Sequence, residues 1–257
     1  MEKRRAVCVL MAPGEAALRP FLETLPQVFA VSGELLFRGR NELRCFCVDG
    51  RNLVVKRFGR HNVAVRLLGV FGRSKARKSY DNAIRLVQLG VQTPKPVACV
   101  ELRSFCGLAT DTFYVCDYVS WPALGEGLHE TGYFNRELTT AFAHFMVGIH
   151  AKGVEHCDLN ATNVRFRMKS DGYAFMLIDL NRMRFHRNSC GLSSREGFAN
   201  LTRFSCCSEM FVCFLREYIA VRGLPVSKLA EALSVKHRHD FWWDVRKFFK
   251  RLANGWH

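Results

Sequence analysis

The sequence predicts an α+β chain in two lobes. Three observations carry that expectation. Strand-like runs dominate the first half and helical periodicities the second. The character changes at Trp121-Pro122, so a boundary is expected near residues 118–122. A chain of 257 residues that is 49% apolar can bury a core in one large domain or two small ones.

The chain opens with "MEKRRAVCVLMAPGEAALRP", which mimics a secretory leader: a basic end, then apolar Ala6–Ala12. That run sits at the bottom of the usual range of about 7–15 residues, and no small-x-small cleavage site follows closely. It is read as part of the mature chain. Residues 28–58 read as strands. "VFAVSGELLF" runs to Gly39 and "ELRCFCV" follows; Asp49-Gly50 then turns the chain into "NLVVKRF", a hairpin signal. Residues 57–78 carry Arg57, Arg60, Arg66, Arg73, Lys75, Arg77 and Lys78 with no acidic residue. "SYDNAIRLVQLG" fits a helix: Ala83, Leu86, Val87 and Leu89 keep the spacing and Gly90 caps the end. "TPKPVACVEL" reads as a loop entering a strand, and "DTFYVCDYV" as another strand.

In the second half, "FNRELTTAFAHFMVGIHAKG" is helical, with Leu138, Phe142, Phe145, Met146 and Ile149 on one face and Gly153 at its end. "GVEHCDLNATNVRF" follows as a loop. "YAFMLIDLNRMRF" is a buried strand ending at Asp179, and helices are expected from about residue 192. The last of them, "HDFWWDVRKFFKRLANGWH", is basic and amphipathic. Such a helix can lie in a membrane interface or dock its apolar face on the helical lobe; docking is the expectation. No apolar run approaches the roughly 18 residues that a membrane span needs.

The net charge of +15 favours anionic partners: nucleic acid, nucleotide or an acidic membrane surface. No nucleic-acid motif accompanies it, so nucleic acid is not expected. The 11 cysteines include no C-x-x-C pair, which argues against a zinc ribbon and for reduced, buried thiols.

Five polar residues stand out against this background. Lys56 lies inside the apolar strand "LVVKRF", where a charge is costly unless paired. Asp81, near the start of the following helix, could pair with it. Asp158 and Asn163 sit on the loop after a long helix, and Asp179 ends an apolar strand 21 residues after Asp158. Phosphoryl transfer needs such a set. Its transition state spreads negative charge over phosphate oxygens, which a lysine and metal ions neutralise. Mg²⁺ takes oxygen ligands, usually one or two carboxylates plus phosphates; Asn163 and Asp179 can supply oxygens. Asp158 can accept the proton of an attacking hydroxyl.

The order Lys…acid…H-x-D-x-x-x-x-N…Asp resembles the protein-kinase-like fold. "HCDLNATN", "LIDLNR" and "SKARKSYDNAIRLVQLGVQTPKPVACVE" resemble the bacterial lipopolysaccharide core kinases, over roughly residues 30–220. The resemblance implies an α+β fold with an N-lobe (1–118) of antiparallel sheet plus helix and a mostly helical C-lobe (119–257). It implies ATP and Mg²⁺ as cofactors and a Kdo or heptose hydroxyl of lipid A–core as acceptor. An anionic membrane surface would be a partner; Arg73, Lys75, Arg77 and Lys78 either serve that encounter or form only a solvated face. The protein would be cytoplasmic, peripheral on the inner face of the membrane. Lys56 would hold nucleotide phosphates, Asp81 would stand where the helix acid normally is, and Asp158 would be the base. Asn163 and Asp179 would bind metal, and Asp117–Val119 would be the hinge whose backbone meets adenine.

Departures accompany the likeness. "FRGRNEL" holds one glycine in place of G-x-G-x-x-G, the helix acid is Asp, Cys157 stands between His156 and Asp158, and Leu-Asn-Arg follows Asp179. They point away from phosphorylation-regulated protein kinases. The rival readings are a soluble kinase of the aminoglycoside or choline type and an inactive kinase-shaped binding module.

Overall fold

The computed structural model describes residues 6–59, 73–104, 107, 109–130, 133–186, 190–204 and 206–254. Arg60 and Arg66 of the basic stretch lie outside them. The chain divides into two compact units, residues 1–120 with 177–182, and residues 121–176 with 183–257. The short segment 177–182 therefore belongs with the first unit, although its flanks belong to the second.

The first unit is a six-stranded sheet in the order β1-β5-β6-β4-β3-β2. Its strands are β1 (Ala6–Met11), β2 (Glu34–Arg38), β3 (Asn41–Val48), β4 (Arg51–Phe58), β5 (Pro96–Arg103) and β6 (Ala109–Asp117). Every neighbouring pair is antiparallel. The leader-like apolar run is β1, paired with β5 from Ala6↔Arg103 to Met11↔Ala98. The β3–β4 hairpin turns at Asp49 and Gly50, with φ of 50° and 75°. Two successive left-handed residues make the tight turn whose twist matches the strands.

Two helices complete this unit. Helix α1 (Arg19–Val28) begins with Pro20 in its first turn and ends where the sequence pattern suggests a strand. "VFAVSGELLF" is thus not one strand: Val28 closes the helix, Gly33 has φ of 78°, and β2 starts at Glu34. Leu22, Leu25 and Phe29 bury against Phe46, Leu53, Val55, Phe113 and Val115. Because side chains alternate along a strand, Lys56 projects from the sheet face opposite Val55 and α1. Helix α2 (Lys75–Gln88) starts earlier than its apolar spacing suggests, because the Ser74 hydroxyl caps it by accepting from the Arg77 N–H.

The second unit is mostly helical. It contains α3 (Leu124–Leu128), α4 (Arg136–Ala151), α5 (Ser194–Leu201), α6 (Ser208–Val221) and α7 (Lys228–Asn254). Short strand pairs fill the intervals: β7 (His129–Glu130) with β8 (Tyr133–Phe134), β9 (Val154–His156) with β12 (Met183–Phe185), and β10 (Val164–Lys169) with β11 (Gly172–Leu177). Phe142 of α4 is the hub of the aromatic core, with Phe175, Phe204 and Phe214 ring centroids at 5.6, 5.1 and 5.4 Å. Helix α4 stops at Gly153, whose φ of 70° suits a glycine and whose added Cβ would sit 2.8 Å from the His186 carbonyl oxygen.

Candidate active site

In the first unit, the structure joins Lys56 to Asp179. Strand β4 carries Lys56, whose Nζ donates to Asp179 Oδ1 at 2.7 Å. The lysine side chain is only 14% exposed, so its charge is paired and not left in water at a strand edge. Its ammonium also lies 5.2 Å from the Phe58 ring centroid. Asp179 has φ of 57°, a left-handed conformation that Asp tolerates better than most residues. That kink ends the preceding strand at Leu177, two residues before the sequence suggests. Asn181 Nδ2 donates to the same Oδ1 at 2.7 Å, and Asn82 Nδ2 on α2 holds the Leu180 carbonyl at 2.7 Å. The Asp179 backbone is thus clamped from α2 while its carboxylate faces two donors.

The pairing of Lys56 with Asp81 does not form. Asp81 accepts from Arg77 Nε at 2.8 Å and Arg73 Nη1 at 2.9 Å. Arg77 lies one helical turn before Asp81, so that pair forms at little entropic cost. The next residue, Asn82, is the one turned toward 177–182. Since consecutive helical residues differ by about 100°, Asp81 points elsewhere.

The basic stretch resolves into separate roles. Arg57 Nε donates to Asp111 at 3.0 Å, and Arg73 and Arg77 share the carboxylate of Asp81. Lys75 opens α2 half-buried near Lys56, Asp179, Arg40 and Arg182. Burial together with those three cations holds its pKa below the ordinary lysine range. Arg40 is in the β2–β3 turn, the "FRGRNEL" segment that stands in place of a glycine-rich loop. Around Lys75 the cations Arg40, Arg182 and Lys56 outnumber the one carboxylate, Asp179, a surplus of positive charge suited to an anion.

At the expected hinge, the Asp117 side chain is a structural anchor. Arg51 donates to it through Nε at 2.8 Å and to buried Glu15 through Nη1 at 2.6 Å; Lys95 reaches Glu15 at 2.7 Å. Arg51 and Lys95 hold the Glu15 carboxyl below its usual range against the cost of burial. The Asp117 and Tyr118 N–H groups are used by the Lys95 and Asn52 carbonyls, each at 3.0 Å. Among the described residues, no acceptor takes the Val119 N–H.

In the second unit, the loop after β9 is a series of short local hydrogen bonds. The Asp158 N–H donates to His156 Nδ1 at 3.2 Å. Asn160 Oδ1 accepts the N–H groups of Thr162 and Asn163, both at 3.0 Å. Asn163 Nδ2 donates to the Asp158 carbonyl at 2.9 Å, which leaves its Oδ1 as a ligand oxygen. Buried Leu159 pins the loop to the core. Asp158 and Asn163 are therefore held in fixed relation, as their spacing suggests. Burial pushes the Cys157 thiol up to about 11, which suits a spacer and not a nucleophile.

Nothing in the residue pattern announces what anchors this loop. Arg222 Nη1 donates to Tyr218 Oη at 2.9 Å, Tyr218 Oη meets His150 Nδ1 at 2.6 Å, and His150 Nε2 meets Asn200 Oδ1 at 3.0 Å. Asn200 Nδ2 then donates to the His156 carbonyl at 2.8 Å. Asn200 Oδ1 can only accept, so His150 Nε2 carries a hydrogen, and with burial disfavouring the charged ring Nδ1 accepts from the Tyr218 hydroxyl. Burial lowers its pKa to about 4. Each of these residues, read alone on its helix, looks like packing.

Could this residue set hold Mg²⁺ and ATP? Among the described residues, no group of three or more His, Cys, Asp or Glu forms a self-sufficient metal cage. Mg²⁺ bound with a nucleotide needs only one or two protein oxygens, since phosphates and water supply the rest. The Asp179 carboxylate and Asn163 Oδ1 are oxygens of that kind, so the donor chemistry fits.

No curated protein matches the chain. A solved structure described as "WaaP in complex with acyl carrier protein" matches at a TM-score of 0.61 with 20% identity, covering 90% of this chain and 97% of that one. At that identity the likeness speaks to the fold, which is α+β and protein-kinase-like. A family model, "Lipopolysaccharide kinase (Kdo/WaaP) family", matches residues 39–209, about two thirds of the sequence, and the chain belongs to that family.

Proposed function

We propose that this chain transfers the γ-phosphoryl group of ATP, with Mg²⁺, to a sugar hydroxyl of lipopolysaccharide lipid A–core, the sugar being Kdo or heptose. The observation that carries the reading is the 2.7 Å pair between Lys56 and the left-handed Asp179. A strand lysine and a kinked aspartate held together in this way form a phosphate-and-metal station. Lys56 binds the nucleotide phosphates, and the Val119 N–H and the Asp117 carbonyl orient adenine. Asp179 and Asn163 hold Mg²⁺, which when bound supplies positive charge to the phosphate oxygens. Asp158 orients the acceptor hydroxyl and takes its proton. His156 fixes the Asp158 backbone through the Nδ1 contact. Asp81, saturated by two arginines, contributes to the shape of α2 and not to the phosphates.

Family membership favours a lipopolysaccharide acceptor over an aminoglycoside or choline, and retention of Lys56, Asp158, Asn163 and Asp179 favours an active enzyme over a binding module. The protein would work in the cytoplasm, peripherally on the inner face of the membrane that holds its acceptor. Mass spectrometry of lipid A–core from cells with and without the protein tests the reading. One additional phosphate on a core sugar is expected only when the protein is present; identical core phosphorylation in both would overturn it.

A further inference from the structure

The C-terminal helix does not dock along its whole length as expected. Its first half does: Ala232 is buried, Lys236 Nζ donates to the Thr202 carbonyl at 2.9 Å, and that ammonium lies 5.3 Å from the Phe211 ring centroid. From residue 241 onward the helix presents bare apolar side chains. Phe241, Phe248 and Phe249 are 63%, 60% and 63% exposed, and Leu252 is 47% exposed. Projected on a helix, these four span an arc of about 100°. The other side carries Arg246, Lys247 and Arg251, all exposed, with half-exposed Trp243 among them, its ring centroid 5.6 Å from Lys247 Nζ. Between residues 244 and 251 the sequence has four Lys or Arg and one acid, Asp244.

Single exposed apolar residues need no explanation, but a clustered face does. Two copies laid face to face would cover the aromatics yet set cationic flanks against each other. An anionic lipid surface covers the apolar arc and neutralises the flanks together. No described helix is long and apolar enough to cross a membrane, so this segment would lie on the surface.

We propose that residues 241–254 of α7 lie in the headgroup layer of an anionic bilayer, with Phe241, Phe248, Phe249 and Leu252 at the acyl boundary and Arg246, Lys247 and Arg251 toward lipid phosphates. In the basic stretch at 73–78, expected from sequence to meet the membrane, Arg73 and Arg77 share the one carboxylate of Asp81, which offsets one of their two charges. The choice of a lipid surface rests in part on the glycolipid-acceptor reading, but vesicle binding can be measured without any acceptor.

The test is sedimentation of the full chain with vesicles of phosphatidylethanolamine and phosphatidylglycerol, at about 0.1 M and about 1 M salt. Replacing Phe241, Phe248, Phe249 and Leu252 by Ser should weaken binding on the order of a hundredfold at both salts. The triple change Arg246→Gln, Lys247→Gln and Arg251→Gln should weaken it roughly tenfold at low salt, with the difference fading at high salt. Both variants should keep the parent's circular dichroism and melting temperature, because the altered side chains are exposed. Parent-like vesicle binding by both variants, or no binding by the parent, overturns the proposal. So does a parent that is a dimer without lipid, is split by the serine changes and ignores vesicles. Phosphorylation of a soluble core-sugar fragment should be unchanged in both variants. If the parent binds vesicles but phosphorylates no core sugar, the kinase reading fails and this one stands.

Discussion

The two units hold their functional residues by different means. In the first, charges face charges: Lys56 meets Asp179, Arg51 bridges Asp117 and Glu15, and Asp81 binds two arginines. In the second, the Asp158 loop hangs from a neutral relay through His156, Asn200, His150 and Tyr218. Ion pairs can exchange partners when a charged ligand arrives, so the first arrangement suits a station that must accept phosphates. A neutral buried relay has no charge to trade; it keeps the loop of Asp158, the proposed base, in one place.

The largest test of that contrast lies at the proposed base. Asp158→Asn should reduce phosphoryl transfer by roughly 10²–10⁴ in rate, the range for loss of a general base. Nucleotide affinity and melting temperature should be close to those of the parent. Steady-state kinetics with nucleotide titration checks this, and full activity would remove Asp158 from the mechanism. On the exchanging side, Asp179→Asn should weaken Mg²⁺-dependent ATP binding, because a hard cation loses an anionic ligand. Titrations with and without Mg²⁺ should converge for the variant; an unchanged metal dependence would show that Asp179 is not a ligand.

The neutral relay predicts a pH effect on stability. The His150 pKa is lowered from 6.5 to about 4, so the unfolded chain binds that proton more readily than the folded one. The contribution is complete above pH 6.5 and lost as pH falls toward 4. A tenfold difference in proton affinity between the two states is worth about 1.4 kcal/mol, so roughly 2–4 kcal/mol is at stake. Thermal melts across this window should show that loss, and His150→Gln, which cannot protonate, should flatten its part of the slope. A slope no different in the variant would mean that other groups cause it.

The smallest expected effect belongs to Asp81. Asp81→Ala should cost about 0.3–1 kcal/mol of stability, as partly exposed ion pairs do, with transfer reduced by less than tenfold. A loss as large as that of Asp158→Asn would give Asp81 a place in the chemistry that its geometry does not suggest.

Much of this is legible in the sequence because it depends on local chemistry. Asp49-Gly50 announces its turn, and Asn163 five residues after Asp158 announces a loop that folds back on itself. Lys56 in an apolar strand announces a paired charge. What is not legible depends on direction. Asp81 and Asn82 are adjacent in sequence but about 100° apart on the helix, and only one faces the segment that carries Asp179. Helix α1 escapes the pattern because Pro20 and Pro26 and the run from Val28 argue against a helix. In fact Pro20 sits in the first turn, where a missing N–H costs nothing. The relay from Tyr218 to His156 draws on residues scattered over three helices and a strand, and no spacing rule joins them.

The excursion of residues 177–182 also bears on how the chain is made. Strand β4 and its lysine leave the ribosome long before Asp179 does. At about 5–20 residues per second, the roughly 60 residues between Ser120 and Asp179 take about 3–12 s to synthesise. Through that interval the nascent sheet can pair its strands and cover one face with α1, while the Lys56 ammonium has yet to meet its carboxylate. The first unit is therefore finished by a piece of chain translated late, and until that piece emerges the central cation of the sheet stays hydrated.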